Sequence, residues 1–149
     1  MPRPERHDSL FLALRQAYRL GGREYRDHIK QYGLTPRQAT ALLAIRRHPG
    51  EGISFLSETT RADLATCSVL VAKLEALGLV RREPDPGDRR RTRLFLTSEA
   101  DEVTRALFRA RRAADARIEA ASGDDAPQLL ALLGRLAARL AAEPTGVAD

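Results

Sequence analysis

The sequence predicts a mainly helical fold with one two-stranded antiparallel ribbon, and three observations support this prediction. Apolar residues recur at three- and four-residue steps in most segments, and capping residues bound those segments. Residues 79–82 and 92–96 instead flank a turn of Pro, Gly and Asp residues, a pattern typical of a hairpin. The 149 residues contain no internal repeat or low-complexity linker, so we expect a single domain.

The first predicted helix runs from about residue 8 to residue 31, and Asp8 or Ser9 can cap it. Gly21 and Gly22 lower its helix propensity, and we expect their small size to admit another helix at close range. Aromatic residues recur every seven positions and therefore share one stripe of this segment, which suits core and dimer packing: Phe11, Tyr18, Tyr25 and Tyr32.

A capping box marks the second helix, with Thr35 as the N-cap, Pro36 as the first helical residue and Gln38 as the third. The helix is expected to end at Pro49. A short third helix from Ser54 is weakly patterned.

The fourth helix is predicted from Leu64 to Leu77, with Asp63 as its N-cap and Gly78 just after its end. Its expected buried stripe consists of Leu70, Leu74 and Leu77, with Cys67 and Val71 beside it. The predicted ribbon follows this helix directly.

Two more helices follow the ribbon. Thr97 or Ser98 can cap the fifth helix, which is expected to end near Ser122. Asp124 or Asp125 can cap the last helix. Its leucines recur on one side: Leu129, Leu132, Leu133, Leu136 and Leu140.

Arginines are concentrated in the ribbon of a chain whose formal net charge is +5. Such a basic patch suggests a polyanionic partner, with nucleic acid ahead of a membrane surface, and a solvated charged loop is the alternative. Six arginines lie within thirteen residues: Arg81, Arg82, Arg89, Arg90, Arg91 and Arg93.

Several function classes are disfavoured. The single cysteine, Cys67, cannot form an intramolecular disulfide, and no apolar run is long enough to span a membrane, so a cytoplasmic protein is expected. His7, His28 and His48 are dispersed, and we expect no metal site and no cofactor. The chain shows no nucleophile paired with a base and no phosphate-binding glycine loop, so we expect no enzyme. Redox sensing by Cys67 is a weaker hypothesis than core packing.

A short helix, a turn, a second helix and a basic two-stranded ribbon form the plan of a winged helix-turn-helix. Residues 34–96 also resemble the MarR-type transcriptional regulators. The resemblance rests on Leu-Thr-Pro-Arg-Gln at 34–38, Leu-Glu-Ala-Leu-Gly-Leu-Val-Arg-Arg at 74–82, and Asp-Pro-Gly-Asp-Arg-Arg-Arg at 85–91. The pair Asp88 and Arg90 in the last stretch is its most specific feature.

The resemblance implies a homodimeric, ligand-responsive repressor that binds a pseudo-palindromic operator in double-stranded DNA. Helices within residues 8–32 and 98–142 would form the dimer, and residues 34–97 would form the winged lobe. Arg90 would enter a minor groove, and Asp88 would orient the loop. Further candidate DNA contacts are Arg89, Arg91, Thr66, Ser68 and Lys73. Candidate contacts for a small aromatic or phenolic effector are Tyr25, His28 and Tyr32.

Two features depart from the family pattern. Residues 53–63 are about two residues shorter than the usual third helix and turn, and Leu64 and Val69 stand where polar residues are usual. The fourth helix therefore has few groups that read bases by hydrogen bonding. This departure favours an alternative function, a dimeric ligand- or partner-binding protein of the same fold without sequence-specific DNA readout.

Overall fold

The computed structural model describes residues 9–142, which form seven α-helices and one two-stranded sheet. The elements are α1 (Leu10–Gly21), α2 (Arg23–Gln31), α3 (Pro36–Arg47), α4 (Ile53–Thr60), α5 (Leu64–Ala76), β1 (Val80–Pro84), β2 (Thr92–Leu96), α6 (Ala100–Ser122) and α7 (Ala126–Ala142). A 3-10 turn, Gly123–Asp125, joins the last two helices. The mainly helical winged helix-turn-helix predicted from the sequence is confirmed.

The segment predicted as one helix from residue 8 to residue 31 is two helices, and that prediction was wrong. Its apolar pattern is continuous, but the helix is interrupted at Gly22 (φ −94°, ψ 15°). The guanidinium of Arg26 donates hydrogen bonds to the main-chain oxygens of Tyr18, at 2.7 Å, and Arg19. A side chain of α2 thus adds hydrogen bonds to carbonyl groups at the end of α1, although the carbonyl of Tyr18 also accepts the amide proton of Gly22.

Three predicted N-caps are confirmed, because the side chains of Ser9, Thr35 and Asp63 each accept a hydrogen bond from an amide in the first turn. Thr35 and Gln38 form both bonds of the capping box. The alternative cap of α1, Asp8, lies outside the described residues.

The buried stripe of α5 differs from the predicted one. Cys67, Val71 and Leu74 are completely buried, whereas Leu77 is 51% exposed. The helix ends at Ala76, and Gly78 adopts a positive φ of 70° that turns the chain away, so the residues after it enter the core instead. Fully buried leucines from four elements complete the core of the lobe: Leu42, Leu56, Leu94 and Leu107.

The packing of α1 against α6 confirms the role expected of Gly21. A Cβ atom at this position would lie 2.6 Å from Cγ1 of Ile118, which is closer than two carbon atoms can approach without a shift. Only a residue without a side chain allows this spacing between the helices.

Large apolar side chains remain uncovered on α1 and α7. No residue of α7 is buried, and Phe11 and Tyr18 of the aromatic stripe are 72% and 59% exposed. Tyr25 and Tyr32, in contrast, are partly buried against the core. None of the helices between residues 9 and 142 combines the length and apolar content needed to cross a bilayer. The uncovered leucines of α7 are Leu129, Leu130, Leu132, Leu133 and Leu140.

Candidate nucleic-acid interface

The helix-turn-helix consists of α4, a three-residue turn and α5. Arg61 adopts a left-handed conformation (φ 51°), and it is the only residue other than glycine with a positive φ in the described part of the chain. The hydroxyl of Ser57 donates to the main-chain oxygen of Ala62 at 2.6 Å. These contacts fix the direction in which α5 leaves the turn.

The N-terminus of α5 is organised by Asp63. Its carboxylate accepts hydrogen bonds from the amide of Thr66 at 2.6 Å and from the hydroxyl of Thr66 at 2.9 Å. These bonds lower the pKa of Asp63. Since its hydroxyl proton is engaged, Thr66 can offer DNA only an acceptor oxygen and a methyl group. Ser68 is half-buried, and Lys73 is exposed.

The wing is anchored to the lobe through Arg93 and Phe95. Arg81 pairs with Phe95 across the two strands, and the guanidinium carbons of Arg81 and Arg93 lie 4.8 and 5.2 Å from the centre of the Phe95 ring. The Nε of Arg93 also donates to the main-chain oxygen of Gly50 at 3.2 Å. Both guanidinium groups therefore stiffen the base of the wing.

A second contact joins the wing to α5. The Nε of Arg82 donates to Oε2 of Glu75 at 2.7 Å, and its Nη2 approaches the main-chain oxygen of Ser68 at 3.5 Å. Both side chains of the ion pair are about one-third exposed. This pair fixes the position of the wing relative to the helix.

Two aspartates shape the tip of the wing. The carboxylate of Asp85 accepts the amide protons of Gly87 and Asp88 at 2.8 and 3.1 Å, and these bonds lower its pKa. Oδ1 of Asp88 accepts the amide proton of Arg90 at 3.0 Å. Asp88 therefore holds the backbone of Arg90 within the turn.

The six arginines of the wing divide into two groups. Arg81 and Arg82 form ion pairs with Glu83 and Glu75, and Arg93 bonds to the main chain. The other three are exposed, and within residues 9–142 their guanidinium groups have no ion-pair or hydrogen-bond partner: Arg89, Arg90 and Arg91.

A cleft of about 450 Å³ connects the wing tip to the start of α5. Leu64 lines it from the helix, and Asp85, Arg90, Arg91 and Arg93 line it from the wing. The N-terminal end of α5 and the unpaired arginines therefore belong to one continuous surface.

The described chain is similar to known regulators. A sequence profile of the MarR family matches residues 32–91. The transcriptional regulator HosA of Escherichia coli O111:H- is 37% identical over 75 residues, which are 50% of this chain and 56% of HosA. The crystal structure of MarR superposes with a TM-score of 0.68 at 25% identity and covers 93% of this chain and 94% of that one.

Residues 32–91 of the chain are similar to the MarR family, and 93% of the chain has the fold of MarR. A further structure in this comparison is the transcriptional repressor CouR bound to a 23-mer DNA duplex, with a TM-score of 0.67 and 26% identity over 87% of this chain and 92% of CouR. These relatives are regulators rather than enzymes, in agreement with the sequence prediction. The match to HosA spans little more than half of that protein, so its activity is not transferred directly.

The three residues suggested for an effector site lie on α2 and at its end. Tyr25 and Tyr32 pack partly against the core, and burial raises the pKa of Tyr25. Nδ1 of His28 lies 3.0 Å from the main-chain oxygen of Glu24, within hydrogen-bond distance. All three side chains keep part of their surface exposed to solvent.

Cys67 is completely buried, with its Sγ 3.5 Å from Oγ1 of Thr60. Burial among core residues favours the packing role over redox sensing. In the part of the chain that the structure describes, no cluster of three His, Cys, Asp or Glu side chains could hold a metal ion. His7 lies outside that part.

The sequence analysis missed the contributions of Asp85, Glu75 and Gly50 to the interface. The sequence does indicate the role of Asp85, because an aspartate before Pro and Gly commonly accepts hydrogen bonds from the amides two and three residues later. Glu75 and Gly50 had none, since their partners are fixed only by tertiary packing.

Proposed function

We propose that this chain is a DNA-binding transcriptional repressor that acts as a homodimer on a pseudo-palindromic operator. The observation that carries the proposal is the group of three unpaired arginines at the wing tip, beside the exposed face of α5. In this arrangement α5 enters a major groove, Arg90 enters the adjacent minor groove, and Arg89 and Arg91 contact phosphates. Thr66, Ser68 and Lys73 contact DNA from α5.

The uncovered apolar faces of α1 and α7 support the homodimer. Exposed leucines and aromatic residues on two helices are typical of a surface that another chain covers. Two lobes held by such a dimer would present two copies of α5 to half-sites about one helical turn of DNA apart, roughly 34 Å. Each wing would follow its own half-site.

The effector part of the proposal assigns Tyr25, His28 and Tyr32 to a site for a small aromatic or phenolic acid. Their solvent-accessible surface on α2, between α6 and the lobe, supports this assignment. A ligand there would release DNA by favouring one spacing of the two lobes. A panel of phenols and benzoates that changes neither the melting temperature nor the DNA affinity would disprove it.

The alternative, a partner-binding protein without DNA readout, gives the three unpaired arginines no role. Fluorescence anisotropy distinguishes the two functions, with DNA from the chain's own upstream region and a scrambled duplex, each at two salt concentrations. A specific regulator should prefer one sequence by a factor above roughly 10³. Equal, steeply salt-dependent binding to both duplexes would mean that the chain binds DNA only through non-specific electrostatic attraction. Binding to neither would contradict it.

A further inference from the structure

The solvent-facing side of α5 carries apolar side chains where a DNA-reading helix usually carries hydrogen-bonding groups. Leu64 and Val69 are each 56% exposed. Residues 64–76 contain no Arg, Asn or Gln, and Lys73 is the one side chain among them of a type that binds a purine edge in bidentate fashion. Bidentate recognition of purines by this helix is therefore limited to Lys73.

The polar side chains of α5 are mostly committed elsewhere. The hydroxyl proton of Thr66 bonds to Asp63, and the carboxylate of Glu75 bonds to Arg82. Lys73 is exposed, but an ammonium group on a flexible stem suits a phosphate better than a particular base. Apolar contact is the main means of base recognition that remains.

The exposed apolar residues lie within the cationic surface rather than apart from it. Leu64 lines the same cleft as Arg90 and Arg91. Val69 is three residues after Thr66 and four before Lys73, so these side chains are neighbours on the helix surface. A partner that covers Leu64 and Val69 must also lie against these cations, which favours a polyanion over an apolar protein surface.

We propose that α5 recognises thymine through its C5-methyl group, with Val69 and Leu64 as the specificity-determining residues. This inference rests on the proposed function, since it requires α5 to lie in a major groove. The thymine methyl is the apolar group that the major-groove edges of the bases present. Burial of one such group changes affinity by about fourfold, so one contact in each half-site changes it by about tenfold or more.

A comparison of thymine with uracil tests this directly, because uracil keeps every hydrogen-bonding group and lacks only the methyl. The full chain first selects a binding sequence from a randomised duplex library. That sequence is then synthesised with thymine or with uracil throughout, and both affinities are measured at one salt concentration. We expect the uracil duplex to bind at least tenfold more weakly.

Val69→Ala should reduce the difference between the two duplexes, because the residue that contacts the methyl has been shortened. The side chain of Val69 is exposed, so this variant keeps the core of the lobe intact. Leu77→Ala is the matched control: Leu77 is similarly exposed but lies at the opposite end of α5, and it should keep the full difference.

Each other outcome overturns the inference in a distinguishable way. Sequence-specific binding with equal affinity for both duplexes would refute methyl recognition and leave the proposed function standing. If Val69→Ala weakened both complexes equally, or neither, Val69 would not be the reader and a protein partner on this face would become the better explanation. Selection of no sequence, with salt-dependent binding retained, would overturn methyl recognition and the proposed regulator together.

Discussion

The guanidinium of Arg90 has no hydrogen-bond or ion-pair partner in residues 9–142, although Asp88 holds its backbone amide. Arg90→Ala should therefore weaken DNA binding at least tenfold, about 1.4 kcal/mol, without changing the melting temperature. Fluorescence anisotropy and circular dichroism measure the two quantities. Arg23→Ala removes an exposed charge on α2, where Arg23 pairs with Asp27, and is the control. Equal losses of DNA affinity in the two variants would mean that the net charge of the protein, and not the position of Arg90, determines the affinity.

The carboxylate of Asp63 provides a test by pH. Hydrogen bonds from Thr66 lower its folded-state pKa, so its stabilising effect is complete above the unfolded-state pKa of about 3.9 and is lost as the pH falls through the folded value. Asp63→Asn keeps a capping oxygen but cannot titrate. Urea denaturation at about pH 6 and about pH 3 should show a smaller loss of stability for this variant than for the natural chain. An identical loss in the two proteins would show that titration of Asp63 does not contribute to the loss of stability at low pH.

The anchoring contacts of the wing arginines are the least predictable feature of single residues. Charge alone does not distinguish the six arginines, and only the resemblance singled out Arg89, Arg90 and Arg91, whose guanidinium groups have no partner within residues 9–142. Arg93 finds its acceptor 43 residues away at Gly50, and such a contact depends on how α3 and the ribbon pack. The resemblance, in contrast, implied that Asp88 orients the loop, and the bond from the amide of Arg90 to Asp88 lies within the turn itself.

Among the elements, the wing depends on the loop between α3 and α4. Gly50 has a φ of 86°, and a Cβ there would collide with Nη2 of Arg93. Gly50→Ala should lower the unfolding free energy by more than the ~1–2 kcal/mol that a left-handed conformation costs an L-residue, and it should also weaken DNA binding. Gly33→Ala, with a φ of 64° and open space around it, should show only the backbone cost. Urea denaturation and anisotropy separate the two effects.

The limits of sequence patterns are also visible in the elements. Capping residues predicted the starts of α1, α3 and α5 because the bonds they form are local. The predicted caps of the last two helices were wrong, since Glu99 precedes α6 and Asp124 and Asp125 lie in the 3-10 turn before α7. The interruption at Gly22 was missed because the apolar pattern runs through it. The guanidinium that bonds to the carbonyl groups at the end of α1 comes from Arg26, which lies in the next helix. Leu77 was misassigned for a related reason: a C-terminal glycine signals where a helix ends, but not which of the neighbouring residues the turn then buries.

For the whole molecule, the uncovered apolar faces of α1 and α7 predict that two chains associate into a dimer. Leu130 is 74% exposed, so a charge there should leave the fold of the single chain intact but would disrupt a dimer. Leu130→Glu should change the sedimentation mass from twice 16.5 kDa towards 16.5 kDa. DNA affinity should fall steeply, because two half-sites can no longer be bound together. Leu77→Glu is the control, and a monomeric natural chain would contradict the proposed dimer.

The position of the aromatic stripe has a spectroscopic consequence. The chain contains no tryptophan and three tyrosines, and all three lie in the stripe on α1, on α2 and at the end of α2. The winged lobe from α3 onwards contributes no tyrosine emission. Intrinsic fluorescence therefore reports selectively on α1, α2 and the end of α2, without any label. A change in emission on adding an operator duplex would show that binding at the wing alters the surroundings of these helices.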